Sequence, residues 1–211
     1  MTGSLADVER TMQIMAQTIV DNEKYFGDLD AVVGDGDLGY SLARGFEIVL
    51  EKWDEYERTD PGVFLTKIAM AVSARIGGTS GPIWGTAMLR MGTALKGSKE
   101  FTPDDVVRGL RAAVEGIKAR GHAELGEKTL LDALVPAIDT LEEEIGKGVS
   151  QADAMQAFAR TARSAAEATS TLQAMRGRAS YTGERSIGSV DAGAMAIAVI
   201  AEKLAETWPR G

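Results

Sequence analysis

The stretch 30-DAVVGDGDLGYSLARG-45 sets three aspartates, Asp30, Asp35 and Asp37, among the glycines Gly34, Gly36 and Gly39, and passes at once into a helical pattern. Helix also follows helix on either side of it. Residues 5–25 repeat apolar positions at helical spacing (Leu5, Val8, Met12, Met15, Ile19), with Ser4 as N-cap and Asp7 as the capping acid. The segment after the aspartates predicts a second helix over about 39–54. Asp60-Pro61 opens a third, to about residue 75, and Pro82 a fourth, to about Lys96. Thr102-Pro103-Asp104-Asp105 joins cap, proline and dipole-favoured acids at the head of a fifth, which ends near Gly121. A sixth is expected over about 128–145, a seventh from Ser150 and Asp153 to about 174, and an eighth over about 191–207. No segment of useful length alternates apolar and polar residues as a strand does. The pattern predicts an all-α fold of about eight helices.

With 211 residues, 45% of them hydrophobic, the chain is long enough for a substantial core. No linker-like shift in composition divides it, so a single domain over residues 1–211 is expected. A formal net charge of −8 argues against nucleic acid as a direct partner, which ordinarily requires a basic face. A small anion remains compatible if metal ions supply the positive charge. The absence of cysteine excludes a disulfide framework and thiol chemistry and suits a reducing compartment. The start, MTGSLADVERTMQIMAQ, has no basic segment followed by an apolar one, so no signal peptide is expected. The most apolar run, 192-AGAMAIAVIA-201, is about half the ~20 residues of a membrane span. These features together predict a cytoplasmic protein with no membrane partner.

Carboxylates on a flexible backbone suit a hard cation with oxygen ligands. An EF-hand register counted from Asp35 fails, because Gly39 falls at the fifth position and Phe46 at the twelfth. Magnesium, held by a few carboxylates and completed by water and phosphate, fits better. A metal platform next to a helix N-terminus would then meet a phosphate with both cations and amides. The plainer alternative is that Asp30 caps a turn and Gly-Asp-Gly is turn chemistry alone.

Two further loops carry polar chemistry. In 76-IGGTSGPIWG-85, glycines with Thr79 and Ser80 lead into a helix and offer an anion-binding nest, or simply a flexible turn; no Walker P-loop is present. In 176-RGRASYTGERSIGSVDAGA-194, Arg176, Arg178 and Arg185 stand together in an acidic protein, with Ser180, Tyr181, Ser186 and Ser189. Arginine forks match phosphate oxygens, although Glu184 and Asp191 are alternative partners. The segment 120-RGHAELGEKTLLDAL-134 holds the only histidine, His122, which reads as a loop residue; Glu127, Lys128, Thr129 and Asp132 read as helix-start chemistry. Trp53, Trp84 and Trp208 read as core or interface residues.

Taken in order, the four stretches form a more specific pattern than any one alone: D-x4-D-x-D with G-D-G-D-x-G, then G-G-T-S-G-P-x-x-G-T, then G-E-K-T-x-x-D-A-L-x-P-A, then G-R-A-S-Y-x-G-E-R-S-I-G-x-x-D-x-G-A. Over essentially its whole length the chain resembles the L subunits of dihydroxyacetone kinases and the C-terminal nucleotide domains of single-chain ATP-dependent kinases. The resemblance implies an eight-helix antiparallel barrel with nucleotide, ADP or ATP, in the loops at one end. It assigns Asp30, Asp35 and Asp37 to a pair of Mg²⁺ ions. It assigns nucleotide contacts to Gly39, Ser41, Thr79, Ser80, Gly121, Leu130, Arg178, Asp191 and Gly193. Arg178 would also face the charge that develops in the transition state.

The implied partners are a K subunit that holds the ketose, a phosphohistidine-bearing M subunit of the phosphotransferase system, a transcriptional regulator and a second copy of the chain. The ketose sits on the K subunit, so this chain alone is expected to bind nucleotide without phosphorylating ketose. Two positions depart from the family pattern. Leu38 stands where histidine is frequent, and Ala192 where proline is usual. Related kinases act on other short ketoses, and Leu38 leaves that alternative open, as well as exchange of free ATP in place of a resident ADP.

Overall fold

The computed structural model describes residues 2–209. Nine α-helices account for most of them: α1 (Leu5–Asp21), α2 (Glu23–Asp30), α3 (Leu38–Glu51), α4 (Pro61–Arg75), α5 (Ser80–Leu95), α6 (Pro103–Gly121), α7 (Leu131–Gly146), α8 (Gln151–Ala168) and α9 (Ala192–Thr207). Three 3₁₀ segments, Trp53–Glu55, Thr169–Thr171 and Arg178–Ser186, complete the helical structure. The all-α expectation holds. Its one exception is a two-residue antiparallel pairing of β1 (Gly3–Ser4) with β2 (Glu100–Phe101).

The helix signals act where the sequence places them. Ser4 donates through both its amide and its hydroxyl to Asp7 at the head of α1. Asp60 accepts from the Val63 amide at 2.8 Å with Pro61 in the first turn. Thr102 and Asp105 form a complete capping box. Ser150 accepts from the Asp153 amide.

Four boundaries differ from expectation, each for a local reason. The helix expected over 5–25 breaks at Asn22 (φ −105°, ψ 16°), where Asp21 and Asn22 are adjacent residues of types that favour helix ends over helix interiors. The chain restarts as α2, so residues 27–30 are helical and not loop. α5 begins at Ser80, two residues before Pro82, because proline lacks only an N–H that the first turn leaves unpaired anyway. α7 begins at Leu131 rather than 128, since Lys128 adopts φ 60°. α8 gives way at Thr169 to 3₁₀ geometry.

The residues group into two compact units. The first comprises the segment up to Val20 and Ser41–His122. There α4, α5 and α6 approach closely through glycines: a Cβ on Gly92 would lie 2.9 Å from the Gly62 carbonyl, and one on Gly116 would lie 2.8 Å from Arg90. Phe46 and Trp84 meet edge to face at 6.2 Å, so Trp84 is a core residue as read. Arg58 ties down the 52–60 connection, donating to Glu9 and to the Tyr56 and Trp53 carbonyls while lying over the Trp53 and Phe64 rings.

The second unit comprises Asp21–Tyr40 and the chain from Ala123 onward. Its core is an alanine-rich seam, in which Ala137, Ala162, Ala166, Ala194, Ala196 and Ala198 are inaccessible and Leu131 and Ile138 supply bulk. Small residues let α7, α8 and α9 pack closely. Thr140 and Thr161 share a hydroxyl hydrogen bond across α7 and α8, and Arg163 grips Glu202 across α8 and α9. No described helix is long and apolar enough to cross a membrane.

Candidate metal and nucleotide site

The aspartate loop lies in the second unit, between α2 and α3. Asp30 is the last residue of α2. Its carbonyl accepts from the Gly34 amide at 2.6 Å, turning the chain back, and its carboxylate accepts from the Leu38 amide at 3.3 Å. Two glycines make this turn possible. Gly36 has φ +76°, and a Cβ on Gly34 would lie 2.9 Å from the Asp30 carboxyl carbon. Gly39 in the first turn of α3 is buried against α2, where a Cβ would collide with the Glu23 carbonyl and sit 2.6 Å from the Gly27 nitrogen. Gly39→Ala is therefore expected to lower stability by about 1–3 kcal/mol, read from the denaturant midpoint.

The loop brings carboxylate oxygens of Asp30, Asp35 and Asp37 within 4.8 Å of one another, the one such cluster among the described residues. Burial, then the neighbouring charges of Asp35 and Asp30, raise the Asp37 carboxyl above its ordinary range, opposed by Arg178. Arg178 donates to Asp35, and its other terminal nitrogen lies 3.9 Å from Asp37. Three converging carboxylates with one arginine opposite leave negative charge that a divalent cation would neutralise. The donor set, all oxygen and beside a helix start, fits magnesium.

Arg178 begins the 3₁₀ segment that follows Gly177, itself at φ 61°. The other two arginines of this loop behave differently. Arg176 makes a two-pronged pair with Glu127 at 2.7 Å, and Arg185 points at the Thr182 carbonyl. The same unit brings together Leu130, Asp191 and Gly193. Asp191 caps α9, accepting from the Ala194 amide at 2.7 Å, and a Cβ on Gly193 would lie 3.4 Å from Leu130 Cβ.

Burial pushes the Asp191 carboxyl up to about 7, aided by Asp132 and Asp30 and opposed by the Ala194 amide and Lys128. Asp191 keeps some exposed surface, so water screens part of this rise. A carboxyl raised in the fold favours its protonated form, so its contribution to stability is full below pH 4 and is lost as pH rises through about 7. Asp191→Asn is expected to remove about 1–2 kcal/mol of that decline between pH 4 and 7, measured as the difference between the two denaturation profiles.

The remaining expected contacts belong to the first unit. Gly39 is followed, past the unit boundary, by Ser41 in α3. Thr79 is exposed before α5 and its side chain makes no capping bond, Ser80 is half-buried, and Gly77 and Gly78 have open space where a Cβ would stand. Gly121 ends α6, and His122 is its exposed left-handed C-cap, a loop residue as read. Sequence reasoning missed Lys128, taken as helix-start chemistry. Its ammonium is buried and donates to carbonyls at 172, 186 and 189. No local signal marks a residue whose partners are 44 or more positions away.

Fold and site together define an all-helical class that presents a carboxylate triad and one facing arginine from the loops around a helix start. The model of the DAK2 domain matches residues 32–206, and the chain belongs to that family. It is 37% identical over 182 residues to the ADP-binding subunit DhaL of the PEP-dependent dihydroxyacetone kinase of Escherichia coli, covering 86% of this chain and 87% of that protein. A corresponding ADP-binding subunit of Listeria innocua is 33% identical, with 94% of each chain covered. The D-erythrulose kinase of Mycolicibacterium smegmatis is 34% identical over 94% of this chain, which spans 35% of that longer protein. The dihydroxyacetone kinase of C. freundii, solved with AMP-PNP and Mg²⁺, superposes with a TM-score of 0.76 at 25% identity, covering 98% of this chain and 35% of that one.

Proposed function

We propose that this chain is the nucleotide-binding subunit of a dihydroxyacetone kinase, transferring a phosphoryl group from magnesium-bound nucleotide to a short ketose held on a separate K subunit. The observation that carries this reading is the convergence of Asp30, Asp35 and Asp37 opposite Arg178. The names of the E. coli and Listeria relatives support ADP as a resident cofactor. A PEP-driven M subunit would then recharge it. On this reading residues 1–211 act as one nucleotide-binding domain with two metal ions, in a helical barrel.

Phosphoryl transfer asks a protein mainly for positioning and charge neutralisation. Asp30, Asp35 and Asp37 would hold Mg²⁺, which would supply most of the neutralisation of phosphate charge. The carboxylates hold that charge in place, with Asp30 oriented by the Leu38 amide. Arg178 turns its planar fork to phosphate oxygens and stabilises charge that grows during transfer. Gly39 and Ser41 offer first-turn donors of α3, and Thr79 and Ser80 offer those of α5. Gly121 and Leu130 are the proposed contacts to the base, and within the second unit Gly193 neighbours both Leu130 and Asp191. No residue here serves as general base for the ketose.

The test is reconstitution. The purified chain alone is expected to give no ketose phosphate, and to give it once K and M subunits and PEP are added. Lack of turnover in the complete mixture, with nucleotide bound, would sink the relay reading. One observation favours a second reading. Leu38 replaces a frequent histidine, and the erythrulose kinase of M. smegmatis is a comparable relative, so a panel of short ketoses with ATP in place of PEP distinguishes the two.

A further inference from the structure

The chemistry proposed above leaves one built feature unused. Lys128 is 3% exposed and holds φ 60°, a left-handed conformation that a side chain rarely adopts without cause. Its Nζ donates to the carbonyl oxygens of Leu172 at 3.0 Å, Ser186 at 2.6 Å and Ser189 at 2.6 Å. An ammonium has three donors, and these oxygens use all of them. Asp191 adds an attractive charge nearby. A desolvated monocation in a cage of main-chain oxygens has the chemistry of an alkali-cation or ammonium site, with the cation tethered to the chain.

The cage has a clear mechanical sense. Leu172 and Ser189 bracket the segment that carries Arg178, so one nitrogen gathers both ends of that loop. Other ties help it: the Ala174 amide donates to the Ser186 hydroxyl at 2.8 Å, the Gly188 amide to the Ser170 carbonyl at 2.8 Å and the Met175 amide to the Glu127 carbonyl at 3.1 Å, and Arg176 pairs with the Glu127 carboxylate. Of these only the Arg176–Glu127 pair carries charge, and it is exposed to solvent, whereas the Lys128 ammonium is buried. Through Lys128 the loop is fixed to the start of α7 and to the segment leading into α9. Arg178 is thereby held where it meets Asp35 and Asp37.

We infer that Lys128 is a positioning residue whose ammonium acts as a tethered monovalent cation, assembling residues 172–189 and so presenting Arg178 to the carboxylate triad. Its effect on nucleotide affinity rests on the proposed function; its effect on loop order does not.

The experiment is Lys128→Ala with chemical rescue, because propylammonium replaces the removed stem and head together. In sodium chloride, amide exchange of residues 172–191 is expected to quicken at least ~10-fold and magnesium-dependent ADP affinity to fall about 10- to 100-fold. Propylammonium chloride at equal ionic strength restores both, and propanol, neutral and of the same length, does not. A variant that folds only with propylammonium equally supports the inference. Wild-type exchange in the variant, recovery with propanol, or failure to fold or recover with any ammonium ion overturns it. Asp35→Asn separates the two readings. If that variant keeps full magnesium-dependent ADP affinity, the assignment of the metal to the triad fails, while exchange and rescue still judge Lys128.

Discussion

Asp35→Asn is expected to weaken magnesium-dependent ADP binding by about 100-fold or more while leaving the fold intact, because it removes one charged ligand from a cation that binds almost entirely through charge. Asparagine keeps the shape of aspartate and can still accept from Arg178, so packing hardly changes. The sign of the stability change is the informative part. Asp35 lies in mutual repulsion with Asp37, whose carboxyl is raised partly by that repulsion. Neutralising Asp35 relieves the repulsion, so the nucleotide-free variant is expected to be no less stable than the parent at pH 7. A purely structural turn requires the opposite pairing, with stability lost and binding never present. Isothermal titration with ADP, with and without magnesium, beside a denaturation curve for each protein, reads both quantities.

Arg178→Ala is expected to act on rate more than on binding. Arg178 donates to Asp35 and lies close to Asp37. Removing it withdraws a competitor for the carboxylates, so magnesium alone should bind no more weakly. Its loss is felt when charge develops on the transferring group, where one removed donor typically costs about 10²–10³ in kcat. In the reconstituted kinase, a fall of that size with less than about a 10-fold change in ADP affinity is the expected result. Arg178→Lys should recover little, since an ammonium lacks the planar fork. An affinity loss matching the rate loss would instead make Arg178 a ground-state anchor.

Much of this was legible in the sequence because its signals are local. Caps at Asp60, Thr102 and Ser150 act within three residues, and each helix begins where its cap stands. The convergence of the aspartate triad was legible too, since all three carboxylates fall in eight residues whose glycines permit the turn. What was hidden depends on distance. The break at Asn22 separates two helices whose apolar spacing continues across it. The three loop arginines look alike in sequence, yet Arg176 is committed to Glu127, 49 residues away, and only Arg178 reaches the triad. Lys128 was hidden for the same reason, its carbonyl partners being 44, 58 and 61 residues distant. Periodicity and spacing report on neighbours along the chain, whereas a buried cation is defined by neighbours in space.

The most direct test of the metal and nucleotide assignment is native mass spectrometry of the purified, desalted protein, with acid release and identification of any small molecule retained. Protein carrying ADP together with magnesium, and an Asp35→Asn variant that carries neither, is the expected result. A wild-type protein that emerges empty and takes up neither ADP nor ATP when supplied with magnesium contradicts it.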